Sequence, residues 1–183
     1  MSETKYVVRS ASTRDAPRIA QVHDQSYRNT YAGIFPQSAF DKLTLESREQ
    51  LWTQVLTEQA AASRTLVAST EDGNIVGFIS GGRERTGHLN CDAEVFAVYL
   101  LPPVQRRGLG TLLIREIARE LHDQGFRSMA VWVLKLNMSK AFYEALGGQI
   151  LAEQTIERGG QSFLEVAYGW ANLDDLVGNK LSS

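Results

Sequence analysis

Hydrophobic positions follow two rhythms along this chain, and the changes of rhythm mark its elements. Lys5-Tyr6-Val7-Val8-Arg9 reads as a first strand. Thr13 or Asp15 can cap a helix in which Ile19, Val22, His23 and Tyr27 share one face, with Pro17 tolerated in the first turn. Tyr31-Ala32-Gly33-Ile34-Phe35-Pro36 ends it in a loop of aromatic and small residues. A second helical region is expected over 37–59, interrupted near Leu43-Thr44, with Leu51, Trp52, Val55 and Leu56 apolar. Leu66-Val67-Ala68 and Ile75-Val76-Gly77-Phe78-Ile79 predict a hairpin around Glu71-Asp72-Gly73-Asn74. The polar, glycine-containing run from Gly81 to Cys91 predicts a loop.

A central strand follows, Glu94-Val95-Phe96-Ala97-Val98-Tyr99-Leu100-Leu101, closed by Pro102-Pro103. Leu112, Leu113, Ile117, Ala118 and Leu121 then recur at helical spacing. Met129 to Leu134 is a short apolar strand, and Ser139 to Leu146 a helix ended by Gly147-Gly148. Two last strands, about 149–157 and 162–170, flank a turn at Arg158-Gly159-Gly160. Strands in a row, then strand and helix in alternation, then a hairpin predict an α/β (α+β) fold, a mixed sheet with helices packed on it. No linker or repeat interrupts 1–183, which reads as one domain with a polar tail after about Leu176.

The stretch between the central strand and its helix is the most informative. Gln105-Arg106-Arg107-Gly108-Leu109-Gly110-Thr111 places two glycines at a helix mouth, where N–H groups lack intrahelical partners and the macrodipole is positive. Glycine lets an anion approach that backbone closely, so the loop suits phosphate; a plain tight turn is the alternative. A P-loop is excluded because no Gly-Lys-Ser/Thr occurs, and a dinucleotide fingerprint because its third glycine position is Leu113.

Composition narrows the classes. A net charge of −2 argues against a nucleic-acid binder that relies on overall basicity. The single Cys91 leaves no intrachain disulfide and no cysteine-rich zinc site, so no metal is expected. No apolar run approaches a membrane span, and the N-terminus lacks a signal peptide's apolar core; a cytoplasmic enzyme fits.

Q-x-x-G-x-G after a strand and proline resembles the pyrophosphate loop of the GNAT (GCN5-related N-acetyltransferase) superfamily, [QR]-x-x-G-x-[GA]. A second stretch, Asn137-Met138-Ser139-Lys140-Ala141-Phe142-Tyr143-Glu144-Ala145-Leu146-Gly147-Gly148, is similar to the superfamily's N-x-x-x-x-[FL]-Y-E-x-[LG]-G segment, though many members carry one more residue between the Asn and the Tyr. The N-terminal Ser26-Tyr27 and Thr30-Tyr31-Ala32-Gly33 extend the resemblance to small bacterial-type members. It implies a mostly antiparallel sheet splayed between its fourth and fifth strands, with helices on both faces. It also implies acetyl-CoA as cosubstrate. Val98, Tyr99 and Leu100 would flank the acetyl-pantetheine arm; Arg106, Arg107, Gly108, Leu109, Gly110 and Thr111 would surround the pyrophosphate. Asn137 would hydrogen-bond the cofactor, or else cap the helix that follows.

The implied reaction constrains the catalytic candidates. An amine attacks a thioester only as the free base, yet an alkylamine has a pKa of about 10.4, so a cleft carboxylate is needed to take its proton. Glu94 lies eleven residues before Gln105 and, on a regular strand, shares a face with Phe96, Val98 and Leu100. A glutamate at this spacing is the general base in histone-acetylating members of the superfamily; a solvent-facing strand end is the alternative. Tyr143 would be the general acid for the leaving thiolate, or a core aromatic like Phe142. The oxyanion would be held by a central-strand amide near Val98.

His88 and Cys91 stand three residues apart without a second metal-binding pair. His23 suits packing or substrate lining. Trp52, Trp132 and Trp170 read as core. The chain is thus expected to acetylate a primary amine, more readily of a small molecule than of a protein or peptide, without nucleic-acid or membrane partners, and as a homodimer if it follows superfamily habit. A GNAT-like protein that binds CoA without turnover is the contrasting class.

Overall fold

The computed structural model describes residues 5–58 and 62–178. Strand β1 (Tyr6–Ser10) leads through a short 3-10 turn into helix α1 (Ala16–Tyr31). Ser12 and Asp15 close that turn with a reciprocal capping box, and Pro17 sits in the first turn of α1, where its missing N–H costs nothing. Helix α2 (Leu45–Thr57) begins at Thr44, whose hydroxyl accepts from the Ser47 N–H at 3.1 Å. The interruption expected near Leu43-Thr44 is therefore a cap; the expected end at 59 lies outside the described residues.

Strands β2 (Ser63–Thr70), β3 (Ile75–Arg83) and β4 (Ala93–Leu100) follow, then helix α3 (Leu109–Asp123), strand β5 (Met129–Leu134) and helix α4 (Lys140–Ala145). Strands β6 (Gln149–Arg158) and β7 (Gln161–Trp170) and the short helix α5 (Asp174–Val177) complete the described chain. The tail expected beyond Leu176 lies, after Gly178, outside the described residues. No described helix is long and apolar enough to cross a membrane.

The sheet runs β1-β2-β3-β4-β5-β7-β6, antiparallel except for β4 and β5. Helices cover both faces. Against one, α3 buries Leu113, Ile114, Ile117, Ala118 and Leu121 completely, with Leu173 and Leu176 beside them. Truncating one of these large side chains to alanine costs about 2–5 kcal/mol. Against the other, α1 and α2 pack Ile19, Val22, Trp52 and Leu56 over Val67 and Phe78.

Two local findings differ from the sequence expectation. The loop expected from Gly81 starts later, because Gly81 and Gly82 continue β3 and pair with Val95 and Glu94. These glycines serve close packing: a Cβ on Gly81 would lie 3.0 Å from the Glu94 carbonyl oxygen, and one on Gly82 would lie 2.7 Å from that of Ala62. Secondly, β4 is not regular. Its pairing passes from Val95↔Gly81 to Ala97↔Ser80, leaving Phe96 as a β-bulge. The bulge reverses the side-chain parity. Val98 and Leu100 join Ala93 and Val95 on the α3 face, whereas Ala97 and Tyr99 face α1 and α2. Glu94 therefore shares its face with Tyr99 and not, as a regular strand would have it, with Val98 and Leu100.

Candidate active site

The site is built where β4 and β5 separate. Their parallel pairing is confined to Ala93↔Met129, Glu94↔Ala130 and Val95↔Val131. Beyond Val95 the backbone of β4 pairs only with β3, so one edge of Phe96 to Leu100 lacks a strand partner. Burial changes at the same point: Ala93, Glu94 and Val95 are buried, and the apolar residues after them are half-exposed. A wedge with free main-chain groups and partly bare apolar side chains can receive an extended chain as an extra strand.

At the end of the wedge lies the mouth of α3. Gly108 caps the helix at φ 78°, in the left-handed region that glycine adopts without strain. Arg106, at φ 59°, is the one non-glycine residue with positive φ among the described residues. This backbone turns a run of amides outward: no N–H from Arg106 to Thr111 finds an acceptor among the described residues. A Cβ on Gly108 would meet nothing within 4 Å, so the space before these amides is open. Gln105 steadies the loop by donating from Nε2 to the Leu100 carbonyl at 2.9 Å. Such a set of amides at a positive helix end fits a phosphate group.

Helix α4 forms the far wall. Tyr143 is buried against Phe142, Tyr168 and Trp170, and its hydroxyl has no hydrogen-bond partner among the described residues. Burial raises its pKa well above the usual phenol value, and Tyr31 adds to the shift. Tyr31 belongs to α1, on the opposite face of the sheet; the two hydroxyls interact at the opening, where no paired strand separates them. The Asn137 Oδ1 accepts from the Ser139 N–H at 2.9 Å, the turn-capping role. Burial raises the Tyr31 pKa, and the Asn137 side chain slightly offsets that shift.

Glu94 sits at the closed end of the wedge, 2% exposed. Arg85 clasps it: Nη2 donates to Oε1 at 2.6 Å and Nε to Oε2 at 3.2 Å, and the Arg85 guanidinium lies 4.3 Å from the centre of the Phe96 ring. Glu94 is thus no solvent-facing strand end, and both of its oxygens are engaged.

On the α1 face the opening is lined by aromatic residues. Tyr27 and Tyr31 lie 4.6 Å apart, Tyr31 stacks on Phe35 at 4.7 Å, and Phe163 meets Phe35 at 4.9 Å. Burial pushes the Tyr99 hydroxyl well above the ordinary phenol range, with Tyr31 adding to it. Beneath them His23 accepts from Trp52 Nε1 at 3.0 Å and lies against Tyr99 at 4.9 Å. Burial and the adjacent Arg48 hold the His23 pKa down at about 3, so the imidazole is neutral and packs as a core ring.

The FR47-like protein family model matches residues 86–157. The chain is 36% identical to an N-acetyltransferase of Bacillus subtilis, YuaI, described as uncharacterized, over 92% of this chain and 95% of that protein. The chain belongs to the GNAT superfamily of N-acetyltransferases. A spermidine N(1)-acetyltransferase of Thermoplasma acidophilum is 23% identical over 78% of the chain and 88% of its own length. The crystal structure of the PaiA N-acetyltransferase of that organism, in complex with coenzyme A, superimposes with a TM-score of 0.67, covering 91% of this chain and 99% of the other at 20% identity.

For a GNAT chain the placement of the sequence-selected residues is instructive. Arg106 to Thr111 line the α3 mouth, Val98, Tyr99 and Leu100 edge the wedge, and Asn137 and Tyr143 stand across it. Arg106 and Arg107 are exposed and have no ion pair within 4.0 Å among the described residues. Sequence reasoning missed Tyr31 and Arg85. Tyr31 lay inside the N-terminal motif, but nothing local shows that α1 delivers its hydroxyl to the opening; Arg85 is an isolated charge placed by tertiary structure alone.

Proposed function

We propose that this protein transfers the acetyl group of acetyl-CoA to a primary amine of a small molecule by direct attack. One observation carries the reading: the wedge between β4 and β5 ends at the unpaired amides of Arg106 to Thr111. A pantetheine arm would extend along Val98, Tyr99 and Leu100, with the pyrophosphate on those amides and Arg106 and Arg107 adding positive charge. The Asn137 amide would bond the cofactor, its Oδ1 staying with the turn. A small amine as acceptor is supported by the spermidine acetyltransferase among the relatives.

In the transfer, the amine arrives from the α1 face, where the aromatic lining excludes water. Glu94 takes its proton, directly or through a water, once Arg85 yields one carboxylate oxygen; Arg85 is 60% exposed and can swing outward. The nitrogen forms its bond to the acetyl carbon, a β4 amide near Val98 holds the oxyanion, and the C–S bond breaks as Tyr143 donates its proton to the sulfur. The extra proton left on the nitrogen then passes, through water, to the Tyr143 phenolate, giving the neutral amide and free thiol. A phenol with pKa about 10 is a weaker acid than a thiol at about 8.5, and burial of Tyr143 widens that gap in the free protein. Contact at the reacting sulfur compensates, because both partners are held in place.

Amine-dependent thiol release from acetyl-CoA, measured over a panel of small amines, tests this. Release that rises with amine concentration supports transfer. A second reading, CoA binding without turnover, draws on the clasp that Arg85 places on Glu94; it requires that no amine raise thiol release above the rate without amine.

A further inference from the structure

Glu165 lies on β7 opposite Leu134 of β5 and Gln154 of β6, so its side chain shares the face of Leu134 and of Phe163 two residues earlier. That is the α1 face, where Leu134, Phe35, Phe40, Tyr27 and Tyr31 form one cluster with Phe163. Glu165 is a half-buried carboxylate beside an aromatic wall. Its Oε2 accepts from Gln154 Nε2 at 3.0 Å; among the described residues its Oε1 has no partner and no cation comes within 4.0 Å of it. The cations nearby serve others. Arg48 lies 4.7 Å from the centre of the Tyr27 ring and pairs with Asp24, and Arg158 faces the Tyr27 hydroxyl. Burial raises the Tyr27 and Tyr31 pKa values; Glu165 adds to both shifts, which places its charge within reach of the two hydroxyls.

A half-buried carboxylate with a free oxygen among aromatic rings is a poor structural element and a good receptor for an organic cation, which gains from both the charge and the ring faces. Its position decides which cation. The wedge is walled by β4 and β5, and β7 is one strand further out, about 4.8 Å beyond β5. An ammonium held there is not the attacking nitrogen, which must reach the thioester uncharged. It is a second positive group on the same molecule, several methylenes away.

We propose that Glu165 is the specificity residue of the acceptor site, its carboxylate binding a second, non-reacting ammonium group of an alkyl diamine laid along Tyr27, Tyr31 and Phe163. This rests on the acetyl-transfer reading of the wedge. A charge-assisted contact of this kind is worth roughly a factor of ten or more in kcat/KM, expressed mainly in KM because the group is bound equally in ground and transition states.

The experiment compares putrescine, n-butylamine and γ-aminobutyrate as acceptors for the wild type, Glu165→Gln and Glu165→Lys, with acetyl-CoA affinity measured by calorimetry as a check on folding. Expected are a wild-type preference for putrescine over n-butylamine of about tenfold or more in kcat/KM, its loss in Glu165→Gln through KM at similar kcat, and a shift toward γ-aminobutyrate in Glu165→Lys. Wild-type turnover without preference for the diamine, or an undiminished preference in Glu165→Gln, overturns the proposal and leaves acetyl transfer standing. Absence of acetyl-CoA binding by the wild type removes the underlying reading instead.

Discussion

Arg85 and Glu94 form a bidentate pair at the closed end of the wedge, with the guanidinium nitrogens 2.6 and 3.2 Å from the two carboxylate oxygens. The carboxylate is buried and its partner 60% exposed, so the clasp can open without disturbing the core. If Glu94 is the base, Glu94→Gln should lower turnover by ~10²–10⁴-fold near neutral pH. Part of the loss should return as pH rises, because hydroxide and neutral amine both become more abundant. Wild type should instead rise and then flatten. Parallel wild-type and variant profiles of kcat between pH 6 and 10 would remove Glu94 from proton transfer.

The same pair has a stability signature. Arg85→Ala strands a buried carboxylate, whereas Arg85→Ala in a Glu94→Gln background strands nothing charged. The two changes should therefore be less than additive in thermal unfolding, by about 1 kcal/mol. Strict additivity would mean that the clasp is open in solution.

The Tyr143 hydroxyl makes no hydrogen bond among the described residues, yet the ring is packed on three sides by aromatic rings. Tyr143→Phe keeps the packing and removes only the proton. Its melting temperature and acetyl-CoA affinity should match wild type, while turnover falls by about ten- to a thousandfold. Unaltered turnover in a chemistry-limited assay would leave Tyr143 a core aromatic.

Asp15 sets an acid limit to stability. Arg9 holds it by hydrogen bonds at 2.8 and 2.9 Å and lowers its pKa to about 2; burial opposes the shift, and Ser12 reinforces it. A depressed folded-state pKa gives stability that is complete above the unfolded value near 3.9 and is lost as pH falls through 2. With Arg9 45% exposed, screening reduces this to about 1 kcal/mol. Unfolding free energies between pH 5 and 2 should converge for wild type and Asp15→Asn; a constant offset would contradict the assignment.

Cys91 should stay silent in a thiol-release assay. Burial and the carboxylates of Glu84, Asp92 and Glu94 push its pKa up to about 11, so little thiolate exists at pH 8. Labelling by a disulfide reagent should be slow in the folded protein and fast in denaturant.

The alternation of elements and the glycine-bearing loop at a helix mouth were legible in the sequence because both are local: periodicity places α3, and the glycines mark its mouth. The splay was available only through the superfamily resemblance, since nothing in an apolar run tells which of its edges lacks a partner. Phe96 shows why parity arguments stop at a bulge. One unpaired residue moved Val98 and Leu100 to the other face from Glu94, and nothing in Glu94-Val95-Phe96-Ala97 announces it. Gly81 and Gly82 read as loop because glycine permits turns, but it also permits close strand packing, and only the neighbours decide. Tyr31, Arg85 and Glu165 come from α1, the loop after β3, and β7, and their places around the sheet exist only once it has formed.

Calorimetric titration with acetyl-CoA of the wild type and of Gly108→Val tests the wedge and its amides most directly. A Cβ at Gly108 meets nothing within 4 Å, and φ there is 78°, so valine strains the left-handed backbone and places a branched side chain before the amides. The expected result is micromolar-range binding of acetyl-CoA to wild type, none of NAD, and a loss of at least about tenfold in a variant that circular dichroism shows to be folded. Unchanged acetyl-CoA affinity in folded Gly108→Val would contradict the assignment of the pyrophosphate to the α3 mouth.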